Sequence, residues 1–429
     1  MVHEMKKFLN KINSIKGEIS FDGDKSISHR AVFFSAMSDG ISEIENLSHC
    51  EDLKTTISAF ENLGAKFIFN DRKTIVYGVG KYKFNEPFKE IYCGNSGTTA
   101  RLLSGILSAQ KFNSTITGDE SLSKRPMKRI IEPLQKMGAK ISHNNFHLPL
   151  QFHPVEKLNN LKFDLVIPSA QVKSCILLAG LFVDEETIIN ESIETRNHTE
   201  KMLNLPVLVH NRKKIIKSSS RFYPQSNYYY VPGDISSAAF FIVLTLLSKN
   251  SELIIRNVSL NPTRIGFINI LQKMNARIEI KFSGKTNNEE YGDLIIKSSK
   301  LRNIHIENTF IPNIIDEIPI LTIAGIFADG DFQIRNCKEL RFKETDRISA
   351  LSYNLKSLGL NVKEFDDGLF ITGYIKNKIG DFKTFDDHRI AMAFSILSML
   401  IDGGGYIDNP ECVNISNPAF YNQLNIISY

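Results

Sequence analysis

Gly23-Asp24-Lys25-Ser26 opens an apolar run, Ala31-Val32-Phe33-Phe34, and the segment it starts closes further on at Leu63-Gly64-Ala65. This pairing decides the fold because it recurs. Five more polar openers follow: Gly94-Asn95-Ser96-Gly97, Ser169-Ala170-Gln171, Gly233-Asp234-Ile235-Ser236-Ser237, Ile315-Asp316-Glu317 and Asp386-Asp387-His388-Arg389. Five more closers answer them: Met137-Gly138-Ala139, Leu203-Asn204-Leu205, Met274-Asn275-Ala276, Leu358-Gly359-Leu360 and Leu424-Asn425-Ile426. The middle residue of every closer is Gly or Asn, the types that best tolerate the left-handed conformation that ends a helix. These residues stand at 64, 138, 204, 275, 359 and 425, a period of 66 to 84 residues. Regular recurrence on that scale signals a repeated structural unit.

Each unit reads alike. The opener leads into a run that is apolar nearly all round, such as Ile176-Leu177-Leu178-Ala179-Gly180-Leu181, which suits a helix buried in a domain centre. A turn (Ser38-Asp39-Gly40, Asp329-Gly330-Asp331) and a short strand (Ser42 to Asn46, Phe332 to Asn336) follow. An amphipathic helix then runs to the closer, and a strand leaves it. The expectation is an α/β protein of two similar domains, each of three repeated βαβ-type units with buried parallel helices. The predicted domains are residues 21–231, and residues 1–20 plus 232–429, with the boundary at Tyr228-Tyr229-Tyr230-Val231-Pro232 and two crossings of the chain. Pro206 follows the third closer, so the strand there is expected to start late or to lie at a sheet edge. Lys285-Thr286-Asn287-Asn288-Glu289-Glu290 reads as a solvated loop.

The bulk properties set outer limits. A chain of 429 residues, 42% hydrophobic and 23% charged, has the composition of a soluble globular protein large enough for two domains. A net charge of +5 is too mild to indicate nucleic acid, yet suits an anionic small molecule where cations converge. Cys50, Cys93, Cys175, Cys337 and Cys412 are scattered and odd in number, which argues for a reducing compartment and against structural zinc. Met1 to Lys7 lacks an apolar signal core, and the longest apolar stretch, near Ala238 to Leu247, is short of the ~20 residues a bilayer needs. A cytoplasmic protein is expected.

The openers carry the unusual chemistry. Ser26 reads as a helix cap with Arg30 one turn on; with Lys25 they form either an anion site or a capped surface helix. Gly94 to Thr99, ahead of a helix read from Arg101 to Leu107, is either a phosphate-approaching loop or a plain turn, and lacks the Gly-Lys-Ser/Thr of a Walker loop. Arg125, before Pro126, is expected at a helix cap, where a cation opposes the helix dipole unless an anion binds. Lys343, Glu344 and Arg347 form an alternating charge cluster whose bland reading is a salt-bridged helix surface. Asp316 and Glu317 lie in an apolar stretch, Phe310 to Leu321, as proton carriers or as a helix cap with a first-turn acid. Asp387-His388-Arg389 offers a relay or a metal pair, but no second His follows one turn later, and no tetrahedral ligand spacing is visible.

Taken in order, these strings resemble the 5-enolpyruvylshikimate-3-phosphate (EPSP) synthase family. They are Gly-Asp-Lys-Ser-Ile-Ser-His-Arg (23–30), Gly-Asn-Ser-Gly-Thr-Thr (94–99), Lys-Arg-Pro-Met (124–127), Ser-Ala-Gln-Val-Lys-Ser (169–174), Pro-Gly-Asp-Ile-Ser-Ser-Ala (232–238), Lys-Glu-Thr-Asp-Arg (343–347) and Asp-Asp-His-Arg (386–389). The resemblance implies two domains with an active site in the cleft between them. It also implies transfer of the enolpyruvyl group of phosphoenolpyruvate to the 5-hydroxyl of shikimate 3-phosphate by a 3-phosphoshikimate 1-carboxyvinyltransferase of the shikimate pathway. No metal or organic cofactor is implied, and a monomer is expected. The implied shikimate 3-phosphate ligands are Lys25, Ser26, Arg30, Ser169, Ala170, Gln171, Thr195, Arg196, Asp316 and Lys343. The implied phosphoenolpyruvate ligands are Lys25, Gly97, Arg125, Gln171, Arg347, His388 and Arg389. Asp316 matches the proton acceptor and Glu344 the proton donor, with Lys25 touching both substrates.

Some positions depart from the family pattern. Asp22 replaces a common proline, Thr195-Arg196-Asn197-His198 replaces Ser-Arg-Asp-His, and Asn414-Ile415-Ser416-Asn417-Pro418 lacks the lysine that some relatives place there. The related transferase acting on UDP-N-acetylglucosamine carries a cysteine in the loop before its Arg-Pro pair; Gly118 to Lys124 has none. A non-catalytic anion-binding protein would have lost Asp316 or Glu344, and both are present.

Overall fold

The computed structural model describes residues 6–211 and 213–429. The openers become helix caps because a short polar side chain just ahead of an apolar run can accept from the first free backbone N–H groups. Asp24 accepts from Ile27 N at 3.0 Å and starts helix Lys25–Met37. Ser96 starts Gly97–Leu107, Ser169 starts Ala170–Gly180, Asp234 starts Ile235–Leu247 and Asp387 starts His388–Ser398, each by the same kind of bond. The first cap is therefore Asp24 and not Ser26, which lies inside the first turn. The second helix begins at Gly97, four residues before the expected Arg101. The fifth opener behaves differently. The chain bends by 117° between Asn308–Ile314 and Ile318–Ile326; Asp316 lies in the bend, and Glu317 is the N-cap residue of the second segment but makes no side-chain cap bond.

Five closers end their helices as read. Leu63, Met137, Leu203, Met274 and Leu358 are C-cap residues, and the next residue has positive φ: Gly64 103°, Gly138 97°, Asn204 52°, Asn275 77° and Gly359 82°. The following N–H reaches back over the helix end in Ala65→Phe60 O, Ala139→Leu134 O, Leu205→Glu200 O and Ala276→Leu271 O. The sixth closer is corrected: helix Phe420–Ile427 runs through Asn425 and ends at Ser428. Asn tolerates the left-handed conformation but does not impose it.

The chain divides into two compact units. One comprises Asp22–Pro232 together with Lys285–Glu289. It holds three four-stranded sheets, each with one parallel pair and two antiparallel pairings: Tyr228–Tyr230, Asp39–Glu45, Lys73–Val79, Lys66–Asn70; Ile91–Tyr92, Ser114–Thr117, His147–His153, Lys140–Asn144; and Lys162–Leu165, Thr187–Glu191, Lys213–Ser218, Val207–His210. Val207–His210 starts directly after Pro206 and lies at its sheet's edge, where a missing N–H costs no ladder bond. Helices Gly97–Leu107 and Ala170–Gly180 pack closely at Gly105, where a Cβ would collide with the Cys175 carbonyl oxygen.

The other unit comprises Met1–Phe21, Gly233–Gly284 and Glu290–Tyr429, of which residues 1–5 lie outside the described residues. Its sheets are Arg277–Thr286, Glu289–Lys297, Glu252–Ser259, Lys16–Ser20; Phe332–Ile334, Gly368–Thr372, Asn361–Phe365; and Lys7–Leu9, Gly405–Ile407, Gly380–Phe382. Helices Ile235–Leu247, Ile318–Ile326 and His388–Ser398 contact one another in its centre and are buried almost throughout. The mixed α/β fold therefore combines parallel and antiparallel pairs with buried central helices.

The expected solvated loop at 285–290 is a tight hairpin turn. Asn287 and Asn288 both have positive φ, 48° and 63°, as a two-residue hairpin turn requires. Glu289 is fully buried and accepts from His198 at 2.8 Å. All five cysteines are free and buried. Among the described residues no single helix is long and apolar enough to cross a membrane.

Candidate active site

In the Asp22–Pro232 unit, three helix starts gather most of the expected residues. At the first, Lys25 Nζ pairs with Asp52 Oδ2 at 2.9 Å. Arg30 is 3% exposed and all three of its nitrogens bond within the fold: Nε to Thr199 Oγ1 at 2.7 Å, one terminal nitrogen to Ser26 O at 2.8 Å, the other to Ser174 Oγ at 2.8 Å. Burial lowers its pKa to about 10, against the opposing pull of Glu200 and Glu289, so the guanidinium is charged at neutral pH. His29 on the next face is fully buried and joins a hydrogen-bond chain through Thr56 Oγ1 (2.8 Å), Thr99 Oγ1 (2.6 Å) and Ser96 Oγ (2.7 Å). Burial, with Lys25 and Arg30 nearby, holds it well below the usual histidine range, hence neutral.

The second helix start gathers two guanidinium groups. A Cβ on Gly97 would lie 2.6 Å from one terminal nitrogen of Arg101 and 3.4 Å from one of Arg125, so two guanidinium groups flank this residue. Arg101 donates to Gln171 Oε1 at 2.6 Å, and Gln171 Nε2 donates to Thr98 Oγ1 at 3.0 Å. Arg125 donates to Asn95 Oδ1 and to Ser121 Oγ at 3.2 Å. It does not sit at a helix cap as expected. It lies between Glu120–Ser123 and Lys128–Lys136, and Met127 caps the latter. The sequence reading missed Arg101, which stands one turn after Gly97 on the same helix.

Ser169, the third start, caps its helix with Ala170 as the first residue. Thr195 is 3% exposed and donates its hydroxyl to Glu191 Oε1 at 2.6 Å. Glu191 in turn binds the fully buried Lys173 at 2.9 Å, and Glu200 binds the same ammonium at 2.7 Å. Thr195 is thus tied into a buried ion cluster, while Arg196 beside it is half-buried.

In the other unit a second set converges on Arg347. This guanidinium is 1% exposed, so the cluster is a buried one rather than a salt-bridged surface. It donates to Asp387 Oδ2 at 2.8 Å, to Glu344 Oε2 at 2.6 Å and to Asp316 Oδ1 at 3.4 Å. Burial alone would lower its pKa, but Asp387, Glu344 and Asp316 together push it above the ordinary arginine value. Lys343 donates to the same Asp316 oxygen at 3.1 Å. Arg389 donates to Asp316 O at 2.8 Å. Asp387 joins two jobs, capping its helix through Arg389 N at 2.8 Å and gripping Arg347. His388 follows the cap and is 1% exposed. Asp316, Lys343, Glu344, Arg347, His388 and Arg389 are therefore assembled from three chain segments. Among the described residues no group of three or more His, Cys, Asp or Glu gathers as for a metal ion.

Three carboxylates on one buried guanidinium, with further cations at helix starts, define a class: an enzyme that handles anionic small molecules and moves protons between them. Comparison with known proteins narrows this. The family model described as EPSP synthase (3-phosphoshikimate 1-carboxyvinyltransferase) matches residues 9–424. A protein named 3-phosphoshikimate 1-carboxyvinyltransferase from Syntrophomonas wolfei is 43% identical over 99% of this chain and 100% of its own length. One of the same name from Petrotoga mobilis is 43% identical over 97% and 98%. Among solved structures, an EPSP synthase from Acinetobacter baumannii superposes with a TM-score of 0.86 at 37% identity, covering 99% of this chain and 98% of that one. The enolpyruvyl transferase NikO from Streptomyces tendae shares the fold, with a TM-score of 0.76 at 14% identity over 99% and 97%. The chain belongs to the EPSP synthase family.

Proposed function

We propose that this chain transfers the enolpyruvyl group of phosphoenolpyruvate to the 5-hydroxyl of shikimate 3-phosphate, releasing phosphate, on the shikimate route to chorismate and the aromatic amino acids. The observation that carries the reading is the Asp316 carboxylate, oriented by Lys343 and Arg347 through one oxygen, with Glu344 on the same guanidinium.

The reaction is redox-neutral and needs only charge and protons. The 5-hydroxyl oxygen bonds to C2 of phosphoenolpyruvate while Asp316 accepts the hydroxyl proton and Glu344 delivers one to C3. The C2–O bond to phosphate then breaks, Glu344 takes a proton back from C3, and the leaving phosphate carries away the proton held by Asp316. Both carboxyl groups return to their starting states. Cations aimed at the phosphates and the carboxylate stabilise the charge that develops.

In this reading Lys25, Ser26, Ser169, Ala170, Gln171, Arg196 and Lys343 hold shikimate 3-phosphate. Arg30 and Thr195, already bonded inside the fold, contribute through charge and by fixing Ser26 and the 195–196 segment. Lys25, Gly97, Arg125, Gln171, Arg347, His388 and Arg389 hold phosphoenolpyruvate, with Arg101 added to that set on its position beside Gly97. A monomeric, cytoplasmic enzyme is part of the same reading, and five free cysteines suit a reducing compartment.

Initial rates of phosphate release test it. Release that requires both phosphoenolpyruvate and shikimate 3-phosphate supports the assignment. Release that instead requires UDP-N-acetylglucosamine, or no release from folded protein, overturns it.

A further inference from the structure

The fourth opener, Gly233-Asp234-Ile235-Ser236-Ser237, supplies no residue to the set above, yet it is wired to it. Ser236 Oγ accepts from Arg264 at 2.5 Å and donates to Glu317 Oε1. Ser236, Arg264 and Glu317 are all buried, at 3%, 2% and 1% exposure. The same Glu317 oxygen lies 3.5 Å from a terminal nitrogen of Arg389, the nitrogen that also donates to Asp316 O. The other carboxylate oxygen, Oε2, is buried and has no hydrogen-bond partner among the described residues. A carboxyl group anchored on one side, left unsatisfied on the other and set against a guanidinium is expensive to keep unless it serves a purpose.

We infer that Glu317 is a positioning residue for phosphoenolpyruvate: anchored by Ser236 and Arg264, it fixes the guanidinium of Arg389 where the substrate's anionic groups meet it. Asp316 and Glu317 thus divide the work at one chain bend. Asp316 faces Lys343 and Arg347 and handles the proton. Glu317 faces the helix starting at Ile235 and handles the geometry of the neighbouring cation. Small displacements of such a group are costly, because a misplacement of ~1 Å can reduce rate on the order of a hundredfold. This inference rests on the reading that Arg389 meets phosphoenolpyruvate.

The test compares Glu317→Gln, which keeps the volume and an acceptor for Ser236 but removes the charge facing Arg389, with the unaltered enzyme. The expected result is a KM for phosphoenolpyruvate raised roughly tenfold, the scale of one charge-assisted contact. The KM for shikimate 3-phosphate and the thermal midpoint stay close to those of the unaltered protein. Ser236→Ala, which loosens the anchor and leaves the carboxylate, should raise the same KM by a smaller factor and serves where Glu317→Gln does not fold. An unchanged phosphoenolpyruvate KM, or equal rises for both substrates, overturns the inference. Failure of the unaltered enzyme to release phosphate would instead strike the proposed function.

Discussion

Replacing Asp316 by Asn separates chemistry from folding. The side chain is 13% exposed and accepts from Lys343 at 3.1 Å and Arg347 at 3.4 Å. Arg347 keeps its two shorter bonds, to Glu344 at 2.6 Å and to Asp387 at 2.8 Å, when Asp316 loses its charge. The amide oxygen of Asn still accepts from Lys343. Lys343 is itself 29% exposed, so water compensates part of the lost attraction, and the expected stability cost is about 1 kcal/mol. In a protein of this size that is a fall of no more than about 4 °C in Tm. Catalysis has no such substitute. A positioned general base contributes ~10²–10⁴ in rate, which is about 2.7–5.5 kcal/mol at 1.36 kcal/mol per tenfold. Steady-state phosphate release and thermal unfolding, measured on the same preparation, should show kcat reduced by at least ~100-fold with Tm almost unmoved. A loss of less than ~10-fold in a folded variant would refute the proton-acceptor role. A loss accompanied by a collapse of Tm would make Asp316 a structural residue.

Other outcomes follow from the same geometry. Asp387→Ala removes a helix cap and one arm of the buried Arg347 pair, and denaturant unfolding should show a loss of about 3–5 kcal/mol, far beyond that of Asp316→Asn. Gly105→Ala pushes a Cβ into the Cys175 carbonyl and should cost about 1–3 kcal/mol in the same assay. His29 is held neutral, its folded pKa below the unfolded value of about 6.5, so the unfolded chain binds its proton first on acidification. Its contribution is therefore fully present above about pH 6.5 and is lost as pH falls below that value. His29→Asn should flatten the dependence of unfolding free energy on pH between about 6.5 and 5 by up to one proton, checked by denaturant titrations at several pH values.

What the sequence disclosed, it disclosed through local chemistry. The polar openers that hold Asp24, Ser96, Ser169, Asp234 and Asp387 are legible as the places where helices start, because capping involves only residues two or three apart. Choosing Asp24 over Ser26 was beyond composition, since both are cap-forming types in the same short stretch. Asn425 misled because its neighbours form a good helix that continues through it. Long-range burial was hidden altogether. Glu289 lies in a polar hairpin tip, and only His198, remote in sequence, reveals why it is buried. Arg347 reads as a surface charge until Asp316 and Asp387 arrive from other segments. Glu317 reads as a proton carrier or a first-turn acid because its partners, Ser236 and Arg389, belong to other repeats. The resemblance to a family supplied the candidate roles, and the fold then supplied the partners that make the roles physical.

Turnover in deuterium oxide is the sharpest probe of addition followed by elimination. Addition to C2 puts a solvent-derived hydrogen on C3, and elimination returns the vinyl group with part of that label. The expected result is one phosphate per enolpyruvyl ether formed, with deuterium on the vinyl carbon of the product by mass spectrometry and proton NMR. Phosphate released with pyruvate as co-product, or an ether free of vinylic deuterium, would contradict it.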